Sequence, residues 1–384
     1  MKKRNLWELN RNLKGRPVTS KERVNAALER RTPDRTPLDG SFRQDVWKKL
    51  EDHFGTKDAE TIMKKLGMDI RTSPLEPSNS FCEQAIPSRW QIPEIGMGKN
   101  NLVIVRENGW LEDEYGICRV PNSDRLYWVY SHHPLAEAGI DEVENFKFPD
   151  PDLEERYKNI RSDVERFGEG HFMLVELWNI FKTSWEFRGF DQYMLDLSLN
   201  GKLVEVLAER ALEHRIVQSK QIAKCGVDMI FVMGDIAMQE RMMISPDIWR
   251  RYFKPRLKTW IDEIRRDFPK LWFMFHSDGN MEPVFEDLLE VGFDAVDPIQ
   301  PESMDVAEMK RRFGDRVCLH GTISCQRSLP FGTPGDVAQE VRERIEICGK
   351  NGGLILAPSN TVQPDVSVEN ILTLYSTANN FPLR

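Results

Sequence analysis

The sequence predicts an α/β fold: a (β/α)8 TIM barrel with an N-terminal helical extension and a hairpin-rich insertion. Three observations lead there. Short apolar runs recur, each capped by polar residues: FVMGD at 231–235, LWFMFHSDGN at 271–280, AVDPIQPE at 295–302, VCLHGT at 317–322 and LILAPSN at 354–360. Uninterrupted apolar runs of this length suit strands buried on both faces, as in parallel sheets. Helical stretches alternate with them, and a chain of 384 residues lies in the range of a barrel with insertions. In such a barrel the polar caps fall at the strands' C-terminal ends, where catalytic groups collect.

The elements follow in order. TSKERVNAALER (19–30) has a Thr/Ser cap, Glu22 and apolar Val24, Ala27 and Leu28 at helical spacing, a capped amphipathic helix. Prolines end it, and 36–42 reads as the first strand, with Asp39, Ser41 and Arg43 in its polar cap. Helices are expected over 44–54 and 58–66, and a second strand over 67–74. From 75 to 150 prolines, glycines and aromatics crowd in, and 113–120 with 125–135 reads as a β-hairpin. An insertion of this length predicts a lid or binding loop within one barrel domain spanning 1–384.

Helix returns over 148–167, and FMLVELWN (172–179) is the third strand, ending in Glu176, Trp178 and Asn179. Helices over 185–198 and 203–223 lead to the fourth strand, 228–235. A long helix over 245–268 starts at a Ser245 cap with Pro246 at its first position. The fifth strand, ending at His276, is followed by helix over 283–291. Strands at 294–300, 316–321 and 352–359 complete eight.

Composition narrows the function classes. Net charge is −8, from 61 acidic and 53 basic residues, with no basic cluster past the first few positions. That argues against a nucleic-acid footprint. No apolar run approaches the ~18 residues of a membrane span. The N-terminal MKKRNLWELNRNLKGRP has no apolar h-region, so no secretory signal is expected. Six cysteines without CxxC spacing read as buried, reduced thiols of a cytoplasmic protein.

The strand ends supply the candidate site. His276 and Asp278, two apart on a strand, share one face and can both point into the mouth. Asp235 caps the fourth strand, with Gln239 beyond it. His320 ends the seventh and can serve as an acid or base near neutrality. Together Asp235, His276, Asp278 and His320 are the expected catalytic groups, with His276 and Asp278 as candidate metal ligands. Asp39, Arg43, Glu176, Trp178, Gln239, Gln300, Glu302, Asn360 and Gln363 are expected to shape the substrate pocket. By contrast, His132 and His133 read as surface residues, Met242 and Met243 as core, and Trp249 and Trp260 as buried anchors.

VNAALERRTPDRTPLDGSF, GDIAMQERMMISPDIWRRYFKPRLK, HSDGN, DPIQPESMDVAEMKRRFGDRVCLHG and GGLILAPSNTVQPDVSVENI resemble the uroporphyrinogen decarboxylase superfamily over nearly the whole chain. The resemblance implies a (β/α)8 barrel with one of two chemistries. One is cofactor-free decarboxylation of uroporphyrinogen; the other is methyl transfer between a corrinoid protein and a small molecule, generally with zinc. The arginine-rich MRQAGRY segment of the decarboxylases is absent; DGSFRQDVW stands there, with Arg43 the one arginine in reach. The insertion also looks like the methyltransferase side. Thiol-activating methyltransferases of the family resemble His-x-Cys in the fifth strand and a Cys after the eighth. Here His276, Asp278 and Asn360 stand at those positions, which implies zinc with a changed ligand set, a harder divalent metal or no metal. The Asp-x-His-x-x-Gly stretch of corrinoid domains does not occur, which implies a separate corrinoid protein as partner.

The expectation is therefore a methyltransferase acting on a small-molecule substrate, with corrinoid supplied by that partner. The alternatives are a decarboxylase-type lyase and a barrel that only binds a ligand. A homodimer is the default assembly of such barrels.

Overall fold

The computed structural model describes residues 17–87, 102–122 and 128–383. Strand β1 (Ile70–Thr72) is followed by β2 (Ile86–Pro87), β3 (Leu102–Val105), β4 (Leu111–Glu112), β5 (Cys118–Pro121) and β6 (Trp128–His132). Then come β7 (Phe172–Trp178), β8 (Met229–Met233), β9 (Trp272–His276), β10 (Ala295–Asp297), β11 (Cys318–His320) and β12 (Leu354–Ile355). Seven of them form one parallel sheet in the order β1-β7-β8-β9-β10-β11-β12. Helices fill the crossovers, so the fold is the expected α/β barrel.

The first expected strand, 36–42, is the exception: it forms isolated parallel bridges, Leu38 with Leu356 and Phe42 with Val362, but no ladder. Pro33 and Pro37 carry no N–H, and the Asp69 carboxylate takes the Leu38 N–H at 2.9 Å. The segment still closes the curl. Leu356 N donates to Pro37 O (2.9 Å), and Asp69 N donates to Leu38 O (2.8 Å).

Helix Ser20–Leu28 carries the predicted capping box, Thr19 with Glu22. It is more than an extension. Val24, Ala27 and Leu28 pack with inward-facing Phe172, Met229, Met274, Ala295, Cys318 and Ile355, plugging the barrel's N-terminal end. The outward strand residues join the helices in a second, larger core that includes Trp249 and Trp260, both fully buried as expected. Two predicted helices are broken. The 245–268 stretch divides into Pro246–Tyr252 and Lys254–Asp267, because Pro255 can neither donate to nor clear the preceding turn. The 185–198 stretch begins earlier, as Ile180–Arg188, and restarts as Phe190–Leu199 after Gly189 at φ 87°.

The insertion forms a five-stranded antiparallel sheet, β2-β3-β4-β5-β6. The expected pairing of 113–120 with 125–135 is the antiparallel β5–β6 pair, with Cys118 opposite His132 and Pro121 opposite Trp128. Residues 113–117 form the turn between β4 and β5, and 125–127 of the second expected segment lie outside the described residues. The sheet is pinned to the barrel's helices. Arg156 forks onto Glu114 (2.7 and 2.6 Å), and Tyr130 OH donates to Glu186 (2.5 Å). Lys182 Nζ donates to Tyr130 OH (3.1 Å) and lies 3.9 Å from the Trp185 ring centre. Lys182 also sits 5.4 Å over Trp178, at the barrel mouth. His133, expected on the surface, bonds the Glu186 carbonyl through Nδ1 (2.6 Å).

Candidate active site at the barrel mouth

Side chains alternate along a strand, so the residues that line the barrel are two apart. On four strands the inward column starts apolar and gains a polar group toward its C-terminal end, whereas β8 stays apolar through Met233. Phe172 and Leu174 give way to Glu176, Met274 to His276, Ala295 to Asp297 and Cys318 to His320. Parallel register sets His276 beside Asp297. Asp235 enters just beyond β8, where Gly234 at φ 129° makes the turn. A Cβ at Gly234 would lie 2.6 Å from Lys182 Cβ, so only glycine fits.

The polar ends form a connected string. His276 Nδ1 donates to Asp297 Oδ2 at 2.6 Å. His320 Nδ1 donates to the other oxygen, Oδ1, and His320 Nε2 to Asp39 Oδ2 at 3.2 Å. On the far side, His276 Nε2 faces Asp235 Oδ1 at 3.7 Å, and the Asp278 N–H donates to that same oxygen at 2.8 Å. Asn360 donates its amide to Asp278 Oδ2. Asp278 Oδ1 is buried without a hydrogen-bond partner among the described residues.

These contacts set the protonation states. Burial opposes charge on His276, but the Asp297 hydrogen bond and the Asp297, Asp278 and Asp235 carboxylates outweigh it and raise the pKa to about 9. His320, likewise opposed by burial, is raised to about 10 by Asp297 and Asp39. Asp297 is buried, yet its two imidazole partners hold it well below the ordinary carboxylate range. Asp278 goes the other way: burial, with Asp235 and Asp297 nearby, lifts it to about 7 against the pull of His276. Burial, reinforced by Asp39 and Asp297, also raises Glu176 to about 7.

A divalent ion fits this chemistry. Asp235, His276 and Asp278 each offer a ligand atom, and those atoms lie within 4.8 Å of one another. The partnerless Asp278 Oδ1 is an acceptor left for such an ion. The His276 Nδ1–Asp297 bond is the outer-sphere contact that orients a ligating imidazole. One nitrogen and two carboxylates make a harder set than the thiolate sites zinc favours, though zinc accepts it.

Asp235, His276, Asp278, His320, Asp39, Glu176 and Asn360 thus converge at one mouth, with Trp178 at its rim. Gln300 is buried and accepts the Gly279 N–H at 3.0 Å, shaping the HSDG turn instead of facing the opening. Glu302 accepts from Ser324 Oγ, and Gln363 Nε2 bonds the Thr361 carbonyl at 2.9 Å. Arg43 is buried at the start of helix Gln44–Phe54, its N–H on Val362 O at 3.1 Å. Gln239 is exposed on a tight turn closed by the Ala237–Met242 bridge. Sequence reasoning missed Asp297. Its signal was the inward position of a strand, followed by Pro298, in a segment read only for Gln300 and Glu302.

A parallel barrel with acids, imidazoles and a cation-competent cluster at its C-terminal mouth has the build of a barrel enzyme. The family model described as uroporphyrinogen decarboxylase (URO-D) matches residues 133–381, and the chain belongs to that family. Curated relatives include a uroporphyrinogen decarboxylase of Trichodesmium erythraeum (strain IMS101), 25% identical over 178 residues, 46% of this chain and 45% of that one. The counterpart from Chlorobaculum parvum is 23% identical over 260 residues, 62% of this chain and 68% of its own length. The chain thus spans about half the length of the first relative. Among solved structures, a methyltransferase from Methanosarcina mazei superposes with a TM-score of 0.68 at 18% identity, covering 95% of this chain and 99% of that one. This likeness is one of fold. Among the described residues no helix is long and apolar enough to cross a membrane.

Proposed function

We propose that the protein is a methyltransferase that moves a methyl group between a small molecule and the corrinoid of a separate protein. The observation that carries this reading is the Asp235, His276 and Asp278 cluster with its partnerless Asp278 oxygen. A bound zinc or other divalent ion would supply a Lewis acid at the mouth, held by those three residues. Asp297 fixes the His276 ring, and Asn360 and the Asp278 N–H–Asp235 bond fix the two carboxylates. Glu176 presents a carboxyl group near its titration point to the floor of the mouth, suited to give or accept a proton. The inserted sheet, pinned through Lys182 and Tyr130 beside Trp178, acts as the lid over the substrate.

Decarboxylation, named for the curated relatives, is the second reading. The mouth's charge weighs against it. Asp39, Glu176, Asp235, Asp278 and Asp297 outnumber His276 and His320, an unfavourable field for a substrate made of carboxylates. The test is spectroscopic. Reduced cobalamin or methylcobalamin is incubated with the enzyme and panels of methylated donors or thiol acceptors, in parallel with uroporphyrinogen. Change in the cobalamin spectrum that is lost in His276→Ala supports the proposal. Loss of carbon dioxide from uroporphyrinogen without cobalamin turnover refutes it.

A further inference from the structure

We infer that His320 is a positioning residue: with Asp39 behind it, it locks Asp297, and through Asp297 it aims His276 Nε2 at Asp235 and Asp278. This deepens the cation-site reading and rests on it. His320 itself is 5% exposed, beneath the opening, so it acts through Asp297 and does not touch a ligand.

The argument begins with the freedom of a carboxylate. The terminal torsion of an aspartate is broad and roughly two-fold, so one hydrogen bond leaves it free to rock. Asp297 has both oxygens committed, Oδ2 to His276 Nδ1 (2.6 Å) and Oδ1 to His320 Nδ1. For Asp297 to turn and let the His276 ring drift with it, the His320 bond must break as well. His320 is anchored in turn by Asp39 Oδ2 at 3.2 Å, and the Asp39 carbonyl accepts from Tyr375 OH at 3.1 Å. The string therefore runs from β9 through β10 and β11 to the irregular closing segment and the C-terminal helix.

Two glycines make room for it. Gly321, at φ 66°, would place a Cβ 2.5 Å from Asp297 Oδ1 and 2.8 Å from Pro298 Cβ. A Cβ on Gly40 would collide with the Tyr375 hydroxyl. Packing alone does not call for a histidine at 320. The inward position below it is filled by Cys318, and the outward Leu319 serves the core. What position 320 needs is a donor to Asp297 with a second nitrogen for Asp39.

A residue that merely balanced the Asp297 charge would have different requirements. His320→Asn separates the two roles, because its amide can donate from near the place of Nδ1 while carrying no charge. In the zinc-free protein, the proton on His276 Nδ1 is followed by nitrogen-15 NMR of labelled histidines. Zinc affinity is then measured by competition with a chromophoric chelator. In His320→Ala, the His276 proton signal is expected to broaden or vanish, and zinc affinity to fall about 10–100-fold, the usual cost of removing an outer-sphere partner. Millimolar imidazole added to the alanine variant should restore both to near wild type. His320→Asn should restore most of each, falling short by about the loss seen in Asp39→Asn because it has no second nitrogen for Asp39.

An unchanged signal and affinity in His320→Ala overturns the inference, as does an asparagine variant no better than alanine. If the alanine variant does not fold, His320→Asn and Asp39→Asn carry the test; Asp39→Asn should show a smaller loss in both readouts, and no loss overturns it. Wild type that binds no zinc sinks the cation-site reading separately, because the NMR comparison needs no metal.

Discussion

The two ends of the barrel interior use the same inward-facing columns for opposite purposes. At the N-terminal end Phe172, Met229, Met274 and Cys318 are fully buried under the plug of Val24, Ala27 and Leu28. Two to six residues further along the chain, the same columns lead to Glu176, Asp235, His276, Asp297 and His320. The lower end gains stability by excluding water. The upper end gathers mutually repelling carboxylates and leaves Asp278 Oδ1 without a hydrogen-bond partner among the described residues. Strand geometry alone permits both; the chemistry at the last inward position decides which end binds and which end holds.

The largest effect expected from this contrast is on stability at the lower end. Phe172→Ala should cost about 3–5 kcal/mol, as large-to-small changes of buried aromatics do. Divalent binding per folded molecule should stay unchanged, as urea unfolding beside metal titration will show. Equal losses in both would mean that the two ends are not separable.

The upper end should dominate the pH dependence. His276 and His320 have folded pKa values of about 9 and about 10, above their ordinary 6.5. The folded protein therefore holds protons that the unfolded chain releases. Their stabilisation is complete below pH 6.5 and is lost as pH rises through 9 to 10. Asp278 and Glu176, raised to about 7, add a decline between their ordinary carboxylate values and pH 7. Urea midpoints should thus fall from pH 6 to pH 10, and His320→Ala should flatten the alkaline part of that fall.

Two smaller effects sharpen the contrast. Tyr130→Phe removes two hydrogen bonds that tie the inserted sheet to the barrel, the one donated to Glu186 and the one accepted from Lys182. It should cost about 0.5–1.5 kcal/mol for each bond and shift substrate KM more than the barrel's melting temperature. Asp278→Asn should leave stability unchanged or slightly higher, because it removes a buried carboxylate raised by burial and by Asp235. It should still weaken divalent binding at least tenfold. A clear loss of stability in that variant would mean that Asp278 holds the fold together.

The barrel was legible because its signals are local. Apolar runs with polar caps survive in any context, and Ser245–Pro246 and Thr19–Glu22 mark helix starts through their own hydrogen bonds. His276, Asp278 and Asp235 were legible for the same reason, as polar residues ending apolar strands. Asp297 was not, because its importance lies in two histidines 21 and 23 residues away, contacts that only strand register creates. The failure of 36–42 to form a ladder was hidden too: the Asp69 carboxylate that takes the Leu38 N–H comes from the next strand's approach. The exposed position of Gln239 on the turn closed by the Ala237–Met242 bridge is likewise not revealed by its spacing from Asp235.

The most direct test of the mouth as a cation site is elemental analysis of the purified protein, with zinc and manganese reconstitution. Wild type would be compared with Asp235→Ala, His276→Ala and Asp278→Ala. We predict near-stoichiometric divalent metal in wild type and its loss in all three variants, each still folded. A wild type that takes up no metal after reconstitution, or variants that keep it, would contradict the account.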